Sequence, residues 1–109
     1  MTCPTDIGVL LSRIADARCG TQRQLGVIER QIAKRAERMT ITARVQRRRG
    51  RRGAHAWTGV DECAYQALVA DLTLARHSEI DALTGQLARE DAALTALRVR
   101  CTTRAVADP

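Results

Sequence analysis

The sequence predicts an all-α protein whose two long helices form an antiparallel coiled-coil hairpin. Apolar residues recur in steps of three and four in both halves of the chain, which is the period of a packed helix. Proline occurs only at positions 4 and 109, so no proline breaks the interior. Glycines cluster near the middle, where they favour a turn. We therefore expect a single domain with a helix over 5–49, a turn at 50–58, a helix over 59–101 and a frayed tail at 102–109.

The first helix has the spacing of a coiled-coil seam. Ten positions from Ile7 to Met39 alternate in steps of four and three, and seven of them are apolar. The three polar members are Arg18, Thr21 and Arg35, and polar seam residues lower stability. The predicted apolar seam residues are Ile7, Leu11, Ile14, Leu25, Ile28, Ile32 and Met39.

The second helix repeats this spacing. Thr58 and Asp61 have the spacing of a capping box at its start, in which each side chain bonds the backbone N–H of the other residue. Arg76 and Glu90 interrupt the seam. The predicted apolar seam residues are Val69, Leu72, Ile80, Leu83, Leu87, Leu94 and Leu97.

The composition indicates a thin core that needs a partner. The chain has no Phe, one Trp and one Tyr among 109 residues, whereas aromatic side chains usually supply much of a core's buried area. A two-helix hairpin with such a seam has marginal stability by itself. We expect a third helix, a second copy of the chain or a larger assembly to cover the remaining apolar surface.

Charge divides the chain into a basic and an acidic half. Residues 1–52 carry 13 Lys and Arg against 4 Asp and Glu, and the remainder carries 5 Arg against 8 acidic residues. The first half ends in an arginine cluster, which favours either steering of a protein partner or binding of nucleic-acid phosphates. It can also be a solvated helix end, which the helix dipole favours. The predicted partner-binding arginines are Arg47, Arg48, Arg49, Arg51 and Arg52.

Trp57 is the one large aromatic residue in the turn. It can anchor a partner, because Trp is enriched where binding energy concentrates. It can equally close the end of the hairpin by packing on Tyr65 and Leu68. We include Trp57 and Tyr65 among the predicted partner-binding residues.

The sequence favours a non-enzymatic, cytoplasmic protein. It contains no nucleophile motif, Gly-rich phosphate loop or H-E-x-x-H metal motif, so we expect no catalytic residues, metal or cofactor. No apolar run approaches the roughly 20 residues of a membrane helix, and the start lacks the pattern of a cleaved signal peptide. The four cysteines include no C-x-x-C pair. We expect them to be reduced thiols.

Residues around Trp57 resemble the YscO/FliJ group, the central stalk of type III secretion and flagellar export. That group is similar in its Arg- and Ala-rich antiparallel coiled coil and in the residues that follow its Trp. The residues that carry the likeness are His55, Trp57, Asp61, Glu62 and Tyr65, followed by 79–83 and 86–94. The resemblance implies a non-enzymatic component that binds an export ATPase or a substrate chaperone, at the periphery of a membrane secretion apparatus.

The same segment also resembles the W-x-G family of small helical hairpins secreted by type VII systems. Trp57 and Gly59 match the motif in the turn, and Tyr65 follows at a similar place. This resemblance implies a secreted hairpin that pairs with a second helical hairpin. The basic charge and four cysteines favour the type III resemblance. A nucleic-acid-binding protein that uses the arginine cluster stays open as a further alternative, as do homo- and hetero-oligomers.

Overall fold

The computed structural model describes residues 5–47 and 56–107, and this part of the chain is almost entirely helical. It contains α1 (Thr5–Arg47), α2 (Gly59–Ala75) and α3 (His77–Ala107). No strand occurs within those two ranges. The all-α prediction is therefore confirmed. Most of the predicted turn, residues 50–55, and the last two residues of the predicted first helix lie outside the described residues.

The predicted single second helix consists of two helices that meet at Arg76. The backbone of Arg76 has φ −107° and ψ 16°, which lies outside the helical region. Its N–H bonds the carbonyls of both Leu72 and Thr73 at 3.2 and 3.1 Å. The N–H of Ile80 still bonds the Arg76 carbonyl at 3.1 Å. The interruption is thus one residue long, and neither Gly nor Pro marks it.

Contacts at the junction explain where α2 ends. The Nδ1 atom of His77 lies 2.8 Å from the Leu74 carbonyl oxygen, so a proton on Nδ1 satisfies an acceptor at the end of α2. The Arg76 guanidinium donates to both carboxylate oxygens of Glu79 and to the Gln31 side chain. These side-chain hydrogen bonds replace part of the regular backbone hydrogen bonding of the helix.

The predicted end at residue 101 was too early, because α3 continues to Ala107. No Gly or Pro lies between residue 86 and Pro109, so nothing in the sequence stops the helix at 101. Thr102 accommodates the helix by donating its hydroxyl to the Arg98 carbonyl at 3.0 Å.

The chain divides into two compact units, which we call the terminal unit (Met1–Gly26 with Asp81–Pro109) and the central unit (Val27–Ile80). In the terminal unit, α1 packs on α3, and Ile7 and Leu94 are buried. The polar residues of the two predicted seams meet there. Thr21, only 2% exposed, donates to Glu90 at 2.7 Å and accepts from Gln86 at 3.1 Å.

Arg18 and Asp91 form an ion pair one helical turn from that network. Thr21 contacts Glu90 and the earlier residue Gln86, whereas Arg18 contacts the later residue Asp91. Partner numbers therefore fall as the α1 number rises, so the helices of the terminal unit run antiparallel. The polar seam positions satisfy one another across the interface, which fixes the register of the two helices.

In the central unit, α1 packs on α2 through a stripe that leaves the predicted heptad. Ile28 and Ile32 are buried as expected, but the next buried residues are Ala36 and Thr40, each 0% exposed. The predicted seam residue Met39 is instead 40% exposed. Each step of four residues turns the contact face by about 40° around a helix with 3.6 residues per turn.

The change of face has a physical reason. Continuing the heptad would place the charged Arg35 against α2, whereas Ala36 and Thr40 are small enough for close helix contact. The Thr40 hydroxyl is satisfied within α1, because it donates to the Ala36 carbonyl at 2.8 Å. Apart from Met39, the predicted apolar seam residues are buried or half-buried.

The expectation of four reduced cysteines was wrong for Cys101, which is disulfide-bonded. Cys19 and Cys63 have free, exposed thiols. Within the described residues, no helix is long and apolar enough to cross a membrane.

Candidate partner-binding site

The basic end of α1 lies against the start of α2. Arg44 and Arg47 stand in the last turn of α1, where the helix dipole favours positive charge. Asp61 and Glu62 stand in the first turn of α2, where it favours negative charge. The two helix ends therefore carry opposite charges at the positions that stabilise each helix.

Asp61 joins these two ends and is completely buried. Its Oδ1 atom accepts from Arg47 Nη2 at 3.1 Å, and its Oδ2 atom lies 3.7 Å from Arg44 Nε. The Arg44 side chain is 14% exposed and that of Arg47 is 46% exposed. Two guanidinium groups thus neutralise one buried carboxylate, as burial of a charge requires.

The same carboxylate completes the start of α2. Asp61 Oδ2 accepts from the Thr58 backbone N–H at 2.9 Å and from its hydroxyl at 3.0 Å. The Asp61 N–H donates back to the Thr58 hydroxyl oxygen at 3.3 Å. The capping box predicted from the sequence is therefore confirmed. The sequence did not reveal that Arg44 and Arg47 also bind its carboxylate.

Trp57 is held beside this cap while much of its ring faces solvent. Its Nε1 donates to Glu62 Oε2 at 2.9 Å, and its ring meets Tyr65 edge to face, with centroids 6.1 Å apart. Trp57 is nevertheless 41% exposed. It contacts Tyr65, as expected for a residue that closes the hairpin end, and it also presents apolar surface, as expected of an anchor.

Glu62 is the residue that orients Trp57. Gln66 donates to its other carboxylate oxygen at 2.9 Å. The hydrogen bonds from Gln66 and then Trp57 lower the pKa of Glu62 below its ordinary value of 4.5, because both donors favour the charged form. The Trp57 ring is therefore fixed by one hydrogen bond and one ring contact at neutral pH. Sequence reasoning missed this role of Glu62.

The structure brings three of the seven predicted partner-binding residues to this corner. Arg47 points its half-exposed side chain at Asp61, and Trp57 and the half-buried Tyr65 contact each other. The other four lie outside the described residues: Arg48, Arg49, Arg51 and Arg52. We refer below to Arg47, Trp57, Glu62 and Tyr65 as the tryptophan corner.

A second feature of the central unit is a basic groove along α1. Its volume is about 480 Å³. The lining residues that the structure describes all belong to α1: Arg35, Arg38, Met39, Thr42, Ala43 and Gln46. Arg35 and Arg38 also line a neighbouring cavity of about 330 Å³, whose other lining residues include Ile32 and Leu72.

A third feature is an apolar stripe on α2 that the sequence analysis overlooked. Val60 is 61% exposed and Leu74 is 69% exposed. Together with three exposed small residues between them, they follow steps of three and four. The stripe comprises Val60, Cys63, Ala67, Ala70 and Leu74. The signal was present, because α2 carries two apolar heptad stripes and the sequence analysis considered only one.

The described side chains offer binding surfaces and no metal-binding cluster. No protein-family model matches the chain, and no curated protein or solved structure matches it.

Proposed function

We propose that this protein is a non-catalytic, antiparallel coiled-coil hairpin that binds other proteins within a bacterial type III secretion apparatus. Its partner would be an export ATPase or a substrate chaperone, and it would act in the cytoplasm at the periphery of the apparatus. Antiparallel pairing of α1 with α3 in the terminal unit, and with α2 in the central unit, supports the hairpin form.

The single observation that carries the proposal is the tryptophan corner. A Trp that is 41% exposed and yet fixed by Glu62 and Tyr65 loses little side-chain entropy when a partner covers it. Such pre-organised aromatic residues dominate the energetics of protein interfaces. Trp57 would be the anchor of the interface.

The arginine cluster would act on the rate of association. Arg47, and with it Arg48, Arg49, Arg51 and Arg52, would attract an acidic partner surface over a distance of about 10 Å at moderate ionic strength. Replacing these five residues with Gln should slow association chiefly at low salt. An association rate that is unchanged at every salt concentration would refute the steering role.

The experiment that tests the function is a native pull-down of the tagged chain from its own host, followed by mass spectrometry. Recovery of an export ATPase or a secretion chaperone supports the proposal. Trp57→Ala should reduce that recovery at least about tenfold, whereas Val99→Ala, at a residue that is 58% exposed and lies on α3 outside the tryptophan corner, should not. Equal recovery with Trp57→Ala would remove the anchor from the proposal.

The same preparation distinguishes the two alternatives. A W-x-G-type hairpin should appear in the culture medium, and a second small hairpin protein should accompany it. A nucleic-acid-binding protein should carry RNA or DNA that is released steeply as salt rises. Either result, without a secretion ATPase or chaperone, would contradict the proposed type III function.

A further inference from the structure

The basic groove of α1 is lined by the residues that would continue the predicted heptad of the first helix. Arg35, Met39, Thr42 and Gln46 follow one another in steps of four, three and four. These positions would have faced α2 if the heptad had continued, but Ala36 and Thr40 take that place. The described residues of the central unit therefore leave a face with coiled-coil spacing uncovered.

This uncovered face carries the positive charges of Arg35 and Arg38. Within the described residues, Arg35 and Arg38 take part in none of the ion pairs. Both line the groove, and Met39 is 40% exposed there. A helix that binds in the groove should therefore combine apolar seam residues with at least one carboxylate.

The outer stripe of α2 has this composition. Its members follow steps of three and four, and all five are apolar or small. The segment 59–75 contains three acidic residues and no basic residue. Asp71 is exposed and adjoins Ala70 on the border of the stripe. The chain thus carries two exposed faces with heptad spacing: the basic groove of α1, and the outer stripe of α2, which is bordered by the carboxylate of Asp71.

The two faces match in spacing when they run in opposite directions. Thr42 then lies opposite Ala67, and the outer pairs are Arg35 with Leu74, Met39 with Ala70, and Gln46 with Cys63. Parallel packing satisfies the same steps, so the spacing alone does not choose a direction. Charge favours the antiparallel direction. The antiparallel register places Arg38 opposite Asp71, whereas the parallel register places Arg38 opposite the neutral Gln66.

We propose that a second copy of this chain binds in the basic groove of α1 by inserting the outer stripe of its α2 in the antiparallel direction. The occupant is a second copy because both complementary faces belong to this one sequence. The proposal is argued from the spacing and charge of α1 and α2 alone, so it does not depend on the identity of the secretion partner.

The direct test uses Cys63, a free and exposed thiol within the stripe. In a Cys19→Ser background, Gln46→Cys places a second thiol opposite Cys63 of the other copy. Mild oxidation should then give a disulfide-linked species of twice the monomer mass. The matched control is Glu37→Cys, an exposed position on the opposite face of α1. Crosslinking should exceed that control at least about tenfold.

A charge exchange provides the second measurement. Arg38→Glu should weaken self-association about tenfold in sedimentation equilibrium, because it sets two carboxylates opposite each other. Adding Asp71→Arg should restore it, and circular dichroism should show unchanged helix content in both variants. A monomer mass for the unmodified chain at every concentration, or equal crosslinking at positions 46 and 37, would overturn the proposal.

Discussion

Asp61 has two structural roles that are usually divided between residues. It caps α2 through Thr58, and it neutralises Arg44 and Arg47 at the end of α1. Because the carboxylate is wholly buried, the two guanidinium groups and the cap depend on its charge. The contact between the end of α1 and the start of α2 therefore depends on the Asp61 side chain.

Asp61→Asn tests this dependence, since the amide keeps the size of the side chain and removes its charge. We expect the free energy of unfolding to fall by about 2 kcal/mol, which is less than for a fully buried pair because Arg47 is partly solvated. Urea denaturation followed by circular dichroism measures the change. Asp16→Asn, at an exposed position of α1, is the control and should have little effect.

Glu62 gives a pH-dependent signal at the tryptophan corner. Gln66 and Trp57 lower its pKa below 4.5 in the folded chain. Their bonds to the carboxylate therefore stabilise the fold above that pH, and the contribution is lost as pH falls through the lowered pKa. Since Trp57 is the one Trp in the chain, its fluorescence should show a transition with a midpoint below 4.5.

Glu62→Gln is the matched variant for this transition. The Gln side chain is uncharged and does not titrate in the acidic range, so the fluorescence step that belongs to residue 62 should vanish. A step of the same amplitude and midpoint in Glu62→Gln would assign the transition to another group and contradict the role given to Glu62.

At the scale of the helices, the two buried threonines of α1 serve different purposes. Thr21 exchanges hydrogen bonds with Glu90 and Gln86 on α3. The Thr40 hydroxyl donates to the Ala36 carbonyl of its own helix. The first connects two elements and fixes their register, whereas the second satisfies its own hydroxyl where α1 and α2 pack closely.

Replacing each threonine by the similarly shaped Val should separate these roles. Thr21→Val leaves Glu90 and Gln86 without their shared partner and should destabilise the fold by about 1–2 kcal/mol. Thr40→Val removes a local bond that competes with the helix backbone and should be nearly neutral. Thermal unfolding of both variants, followed by circular dichroism, provides the comparison. Equal losses would show that the inter-helix network does not contribute to stability.

The interruption at Arg76 shows what the periodic pattern does not contain. Apolar spacing continues through this residue, so the sequence predicts one helix where the structure has α2 and α3. The cause lies in side-chain bonds to Gln31, Glu79 and the Leu74 carbonyl. Such bonds depend on a neighbouring helix or on a particular rotamer, and neither is encoded in spacing.

At the scale of the whole molecule, the disulfide at Cys101 links stability to the redox environment. A native disulfide typically contributes about 2–4 kcal/mol. Reduction, or Cys101→Ser, should lower the free energy of unfolding by about that amount. Cys19→Ser removes a free, exposed thiol and should change it by less than about 0.5 kcal/mol. Denaturation with and without reductant measures both effects.

Sequence reasoning predicted the helical class and the cap at Thr58, because composition, spacing and cap chemistry are local properties. It did not predict the change from Met39 to Thr40 as the buried residue, because that choice depends on how closely α2 approaches. At the candidate site it found Trp57 and Tyr65 from their rarity. It missed the bond from Trp57 to Glu62 and the contacts of Arg44 and Arg47 with Asp61, since these contacts form only when the chain has folded.

The close packing at Ala36 and Thr40 also restricts how this sequence can diverge. Both side chains are fully buried, so a larger residue at either position would force α1 and α2 apart. The neighbouring positions 35 and 39 face the open groove and can accept side chains of many sizes without strain in the chain itself. Tolerance to larger side chains along α1 should therefore alternate between adjacent residues: small side chains are required at 36 and 40 for the packing within the chain, whereas positions 35 and 39 are restricted only by what binds in the groove.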